Sequence, residues 1–514
     1  MYLCRSSRAH ALLAISACIL TLVLVGSTVA ALDTDARPGE ARQLWQWQDA
    51  GQTRLAGSPQ AYVQAVDDDD GGDDDDDDDD DDDEKKKKGP FTAAYKKHVE
   101  DLLEEWRVPG VAIGVVDGED VWTAGYGIAT FPATPVTPQT IFYGASTSKA
   151  FTSSVLALMI TSGNYSVPAG PPAARLAWDT PIASLIPDDF VLAADGTGNG
   201  NGNGEGGTAA WATAHLTLED ALSHRTGMPR HDKASPHFLL SPSSGAPGGH
   251  TNDTRTPATV RDITRLQRHL PLNAAPRTKW QYCNHMYVVA THVVETLTGG
   301  RSLGAVLREW IWEPLGMQGT YFSLEDALAA AARERREEEG HYVASGYSWD
   351  PRTQTFTTVE LMPTDEVGGA GAVMSTVDDY TKWLRMWLRQ GAPLSAEAQR
   401  AVLTPRMLVN PEGTVVAAED TGEGAASQQP YDFPLAYALG WQVGSYRGHR
   451  FWTHSGGMHA YGAEVFFCPQ LEFGFVAFGN TALTSNALEL ALMWDMVDDR
   501  LGVPLDQRRD WTTG

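Results

Sequence analysis

The sequence predicts an α+β fold: an antiparallel sheet built from both chain ends and flanked by helices, with a mostly helical insertion lobe within about 165–400. Two strand-like segments and an apolar helix open the ordered part. Amphipathic helical patterns fill its middle, and four short apolar runs followed by a last helix close it.

The chain has 514 residues, 42% of them hydrophobic, which is enough for one large core with a lobe attached. Residues 1–31 read as a signal peptide: Arg5 and Arg8, then "ALLAISACILTLVLV", then the small residues of "STVAA". Retention of this stretch as an uncleaved signal anchor is the alternative, and no later segment is apolar enough to cross a bilayer. Residues 32–89 form an acidic leader expected to be disordered, because its like charges repel and bury no core. Its Asp67–Lys88 run holds 15 Asp, one Glu and four Lys, a net −12 of the chain's −27. The remainder is still acidic, which disfavours a nucleic-acid partner.

A single domain is expected over 90–510. In "YKKHVEDLLEEW", Val99, Leu102, Leu103 and Trp106 fall on one helical face. "GVAIGVVDG" and "DVWTAGYGIA" read as two strands joined at Asp117-Gly118, a hairpin signal. "STSKAFTSSVLALMITSG" reads as an apolar helix ended by Gly163. Ala193–Thr208, Ala234–Thr256 and Pro411–Pro430 have the composition of surface insertions. Helical spacing recurs in "LEDALSHRTG", "HMYVVATHVVETLTG" and "LGAVLREWIWEPLG", and "ALAAAARERREEEG" suits a solvated charged helix. "YALGWQVGSY", "RFWTHSGG", "GAEVFFCP" and "EFGFVAFGN" resemble an antiparallel meander, and "SNALELALMWDMVDDRLG" ends the domain as a helix. Behind the signal only Cys283 and Cys468 remain, so one bridge at most is available. Sequons at Asn164 and Asn252 fit export in a eukaryote.

Three short motifs carry chemistry. In Ser146-Thr147-Ser148-Lys149, positions i and i+3 share a helical face, so the lysine reaches the serine. Serine needs a neighbouring base, and Lys149 serves as one if burial or nearby cations keep it neutral. The alternative is the polar opening of an ordinary helix. In Tyr282-Cys283-Asn284, a phenol and an amide two residues apart face one cleft; the phenol can move a proton, and the amide can orient a substrate carbonyl or the lysine. An ordinary loop ahead of a helix near His285 is the alternative there. In His454-Ser455-Gly456-Gly457, the glycines allow close backbone approach, and the histidine supplies a donor or a pH-dependent positive charge. A glycine turn with a satisfied histidine is the alternative. No His, Cys, Asp or Glu set has metal-ligand spacing, and no cofactor is expected.

Each motif occurs once, in this order, and together they resemble the serine β-lactamase-like superfamily: class C β-lactamases, DD-peptidases and related esterases and peptidases. "WRVPGVAIGVVDGEDVWTAGYG", "LTLEDALSHRTGMPRHD", "WEPLGMQGTYF" and "GGAGAVMSTVDDYTKWL" extend the likeness over about 92–505. The resemblance implies Ser146 as nucleophile, Lys149 and Tyr282 sharing its proton, and Asn284, His454 and Gly456 as substrate-binding. It also implies an oxyanion hole from the backbone N–H groups of Ser146 and Gly457. Many members have lysine where this chain has His454, so recognition of a substrate carboxylate is weakened and the esterase and peptidase branches are the nearer match. The resulting expectation is a secreted serine hydrolase cleaving an ester or amide of a small-molecule or peptide substrate through an acyl-enzyme. An acyltransferase using the same site and a catalytically silent binding protein are the alternatives.

Overall fold

A computed structural model of the protein describes residues 54–55, 89–171, 173–192, 208–236, 238–241, 254–334, 342–409, 431–432 and 434–511. The expected signal peptide, the Asp run and large parts of the three insertions lie outside the described residues. Within the leader, Arg54–Leu55 is described as a two-residue strand paired antiparallel with Phe356 and Thr357.

Helix α1 (Ala93–Trp106) starts at Thr92, whose hydroxyl accepts the Tyr95 N–H and so satisfies an otherwise unpaired donor. Nine strands then form one antiparallel sheet: β1 (Gly110–Asp117), β2 (Asp120–Thr130), β3 (Thr134–Pro135), β4 (Met407–Leu408), β5 (Ala436–Tyr437), β6 (Gln442–Tyr446), β7 (His449–Met458), β8 (Tyr461–Cys468) and β9 (Phe473–Gly479). Their spatial order is β4-β5-β6-β7-β8-β9-β1-β2-β3. The sheet therefore closes where β9 meets β1, Phe473 opposite Asp117 and Gly479 opposite Val111. The expectation of a sheet drawn from both ends of the domain matches this order.

The near-continuous apolar run of β1 has a direct cause: both faces of the sheet are covered. Ala112 and Val116 point into a core shared with the helical lobe, while Val111, Ile113 and Val115 point into a second core. The first is filled from α2 (Ser148–Ser162), α3 (Asn284–Leu297) and α4 (Val377–Arg389). The second is filled from α1 and α5 (Thr484–Arg500). Cys283 lies in the first core and Cys468 in the second, both buried and unpaired, so the single available bridge is not made.

The lobe is less helical than expected. Gly346–Asp350 and Thr355–Val359 pair as a hairpin, with Tyr347, Trp349 and Phe356 supplying strand-forming side chains around a turn that begins at Pro351. Among the described residues, no helix is long and apolar enough to cross a membrane.

Two carboxyls lie between the sheet and α5. Glu464 of β8 accepts the Thr453 hydroxyl at 2.6 Å, and burial pushes its pKa up to about 7. Burial, with Glu464 as a neighbour, holds the Glu489 carboxyl well above its usual range. A raised carboxyl favours the folded state below its ordinary pKa, and that contribution is lost as pH rises through the folded value. Glu464→Gln, which cannot ionise, should therefore stabilise the protein by roughly 3 kcal/mol at pH 8 and much less at pH 5, read from urea midpoints at the two pH values.

Candidate active site

Ser146 lies in a short 3-10 turn, Ala145–Thr147, that leads directly into α2. Ala145 has φ 46°, a left-handed conformation that costs an alanine on the order of 1 kcal/mol. Neighbouring groups hold the turn in place. Gly144 N–H donates to Val373 O at 2.9 Å, and the Ser148 hydroxyl donates to Ala145 O at 2.6 Å while accepting Val373 N–H at 3.0 Å. The Thr147 hydroxyl donates to Gly144 O and also meets the Tyr380 hydroxyl. The result is a half-buried Ser146 side chain aimed between two partners.

One partner is Lys149, which has no exposed surface. Its Nζ lies 3.0 Å from Ser146 Oγ, 2.8 Å from Asn284 Oδ1 and 2.6 Å from Ala370 O. Burial, reinforced by the Arg230 cation, holds its pKa well below that of an ordinary lysine. The other partner is Tyr282, whose hydroxyl donates to Ser146 Oγ at 2.8 Å. Burial raises the Tyr282 pKa, against the opposing pull of the Ser146 hydrogen bond and Arg230, so the phenol keeps its proton. Its ring packs against His224 at 4.3 Å between centroids and faces Lys149 Nζ at 4.8 Å and the Arg230 cation at 5.0 Å.

Asn284 is the first residue of α3 rather than part of a loop, one position ahead of the expected helix start. Its Nδ2 donates to Asp232 Oδ1 at 3.0 Å, which turns Oδ1 towards Lys149. Asp232 in turn accepts Arg230 Nε at 2.6 Å. Of the two uses expected for this amide, contact with the lysine is the one the geometry shows.

Lys149 Nζ has three oxygen neighbours. Asn284 Oδ1 and Ala370 O can only accept, so each takes a hydrogen from Nζ. The third contact of Nζ is with Ser146 Oγ, which an ammonium donates to and which faces the lone pair of the neutral amine that burial favours; Ser146 Oγ also accepts from Tyr282.

His454 departs from expectation. It is buried; Nδ1 donates to Ser455 O at 2.7 Å, which leaves Nε2 to accept the Tyr437 hydroxyl at 2.8 Å. Burial, with Lys149 adding to it, pushes its pKa down to about 3. It is a neutral ring with both nitrogens occupied by protein, and not the pH-dependent cation or free donor anticipated from the sequence. A cation at this site is Arg230, which lies against the Tyr282 ring and is paired with Asp232. Gly456 sits against the Ser146 turn, where a Cβ would lie 2.4 Å from Gly144 O, while Gly457 is exposed on β7 beyond the stretch that pairs with β6.

Cys283 is buried between these groups with its thiol pushed up to about 12, so it stays protonated. Among the described residues, no cluster of three or more His, Cys, Asp or Glu is arranged to hold a metal ion. Sequence reasoning had not singled out Ala370, Arg230 or Asp232. "GGAGAV" and "GMPRHD" were visible as segments, but a backbone carbonyl has no residue-type signature and an Arg-x-Asp pair is common on surfaces.

A family model described as Beta-lactamase matches residues 95–495. The chain belongs to the beta-lactamase family. It is 37% identical over 422 residues to the Unguisins hydrolase ungD' of Aspergillus campestris (strain IBT 28561), covering 82% of this chain and 68% of that protein. The Unguisins hydrolase ungD of Aspergillus violaceofuscus (strain CBS 115571) is 36% identical over 441 residues, with 82% and 67% covered. Two solved structures share the fold. The octameric penicillin-binding protein homologue from Pyrococcus abyssi has TM-score 0.55 and 19% identity over 78% of this chain and 76% of that one. The class C beta lactamase from Rhodobacter sphaeroides has TM-score 0.52 and 18% identity over 79% and 99%. With these relatives, this beta-lactamase family member is a serine hydrolase of the β-lactamase-related type.

Because burial pushes the His454 pKa down to about 3, the acid limb of the enzyme's pH–rate profile is expected to follow Lys149 and not His454. Activity should fall as pH drops because protonation removes the lone pair that faces Ser146. His454→Gln should leave that limb where it is between pH 5 and 8. A profile that flattens in the variant would return the titration to the histidine.

Proposed function

We propose that this beta-lactamase family member hydrolyses an ester or amide through an acyl-enzyme on Ser146. The observation that carries this reading is Ser146 Oγ held 3.0 Å from Lys149 Nζ and 2.8 Å from the Tyr282 hydroxyl. Lys149 takes the Ser146 proton as Oγ attacks the substrate carbonyl. The oxygen of the tetrahedral intermediate is stabilised by the N–H groups of Ser146 and Gly457. Tyr282 passes its proton to the leaving alcohol or amine and is reprotonated from Lys149. Water then attacks the ester to Ser146 while the same groups return one proton to Ser146 Oγ. The neutral Tyr282 favours Lys149 as the base of the first step and the phenol as the acid at the leaving group.

The neutral His454 supplies no fixed charge for a substrate carboxylate, so we assign a substrate recognised by shape and amide or ester groups. The similarity to proteins named as unguisins hydrolases makes unguisins the first substrates to test. Turnover of unguisins, p-nitrophenyl esters, D-amino-acid amides and nitrocefin should be compared side by side. A fluorophosphonate should add one adduct, on Ser146 by peptide mapping, and Ser146→Ala should lose both adduct and turnover by at least about a thousandfold. Labelling and turnover that persist in Ser146→Ala would overturn the assignment.

We also propose that the protein is exported. Supporting this are the signal-like residues 1–31 and the sequon at Asn164, which is exposed just beyond the end of α2. Expression in a eukaryotic host should give medium-borne protein whose mass drops on treatment with an N-glycosidase; an intracellular, glycan-free product would count against export.

A further inference from the structure

The two glycines after Ser455 set a conflict. At Gly456 a side chain is impossible, because its Cβ would fall 2.4 Å from Gly144 O and 2.9 Å from the Ala463 side chain. Close packing of β7 on the nucleophile turn thus demands glycine. Yet a peptide unit flanked by glycine on both sides is the freest to rotate, since neither neighbour restricts φ and ψ with a Cβ. Strand pairing holds it from one side only: β8 pairs with β7 through Gly456 and Gly457, opposite Ala463 and Gly462, whereas β6 covers β7 only as far as Thr453, paired with Gln442. A donor on that peptide is aimed more firmly if a contact from outside the β7–β8 ladder also holds its plane.

Asn486, in the first turn of α5, is placed to do this. Its Nδ2 donates to Gly456 O at 2.7 Å. The amide orientation is settled by its surroundings, because two further oxygens, Ala463 O at 3.5 Å and Glu489 Oε2 at 3.4 Å, also face Nδ2. The Gly456 carbonyl is therefore drawn towards α5 and β8. The Gly456–Gly457 peptide bond is trans, so its N–H points the opposite way, out of the open edge of β7. That edge packs against the turn bearing Ser146, as the close approach of Gly456 to Gly144 and Ala145 shows. A hydrogen bond accepted at the carbonyl also polarises the unit and strengthens its N–H as a donor.

We infer that Asn486 is a positioning residue for the oxyanion hole: it holds the Gly456 carbonyl and so aims the Gly457 N–H at the carbonyl oxygen of a substrate on Ser146. The inference rests on the Ser146 hydrolase reading above and adds a residue from the last helix, distant in sequence from all three motifs. Asn486 itself touches no reacting atom. Losing one oxyanion donor outright costs about 100- to 1000-fold in rate. Misaiming it should cost part of that, about ten- to a hundredfold.

The test uses the full chain carrying Asn486→Leu, with p-nitrophenyl acetate as substrate and phenylboronic acid as a probe whose tetrahedral adduct places an oxygen where the oxyanion forms. The expected result is a kcat lowered about ten- to a hundredfold, KM within about twofold, and a boronate Kd weakened in parallel with kcat. A purely structural role would lower the melting temperature without this parallel. If the leucine variant fails to fold, Asn486→Ala, which adds no bulk, takes the same measurements. A kcat and boronate Kd within twofold of wild type in a folded variant overturn the inference. Ser146→Ala in the same assay separates the two readings: if it is inactive while Asn486→Leu is unaffected, only the role of Asn486 falls. Wild-type turnover in Ser146→Ala would instead remove the nucleophile and, with it, the hole that Asn486 is said to aim.

Discussion

The site depends on a lysine taken entirely out of water. An ammonium buried in this way without a carboxylate in contact is costly, and the lower-energy state is the neutral amine. Three elements far apart in sequence must meet for that amine to be satisfied. The 3-10 turn before α2 brings Ser146, the start of α3 brings Asn284, and the turn Asp365–Ala370 brings a carbonyl. The turn from Asp365 is itself fixed in the core: Thr152 Oγ1 donates to Gly369 O at 2.9 Å, and Gly369 N–H donates to Thr291 Oγ1 at 2.8 Å. Hydrophobic burial of α2 and the placing of the Lys149 amine beside Ser146 are therefore the same structural event seen from two sides.

The double-sided sheet gives this cluster a rigid wall. β7 carries His454 inward, where Tyr437 and its own strand occupy both ring nitrogens, and it presents the glycine pair at an edge that β6 leaves uncovered. On the opposite face, α5 packs against β8 and β9 and carries Asn486 and the buried Glu489. Groups on both faces of one strand thus bear on a single cleft.

Much of this was legible in the sequence because local spacing carried it. Ser146 and Lys149 are three residues apart on a helix, and Tyr282 and Asn284 flank one core residue, so each pair reports its own geometry. The apolar run of β1 with its Asp117-Gly118 turn, and the short apolar runs of β7 to β9, exposed the sheet and its two-ended origin. The rest depended on surroundings that no short stretch contains. The charge state of His454 follows from burial beside Tyr437 and Lys149, not from being histidine. Ala370 contributes a backbone oxygen, and Asp232 acts by orienting an amide 52 residues away. The hairpin from Gly346 to Val359 escaped notice because its strand-forming residues sit inside a region otherwise patterned for helices.

The pairing of β9 with β1 has a consequence for biosynthesis. β1 emerges early from the ribosome, but its partner strand and the helix behind it come near the end of the domain. Until then one long margin of the nascent sheet has nothing to bond with, and the Gly456–Gly457 strand lacks α5 behind it. Contacts spanning so much chain close slowly. A ribosome-bound fragment would hold Ser146, Lys149 and Tyr282 yet have no finished cleft, so hydrolytic competence arrives only with the completed polypeptide.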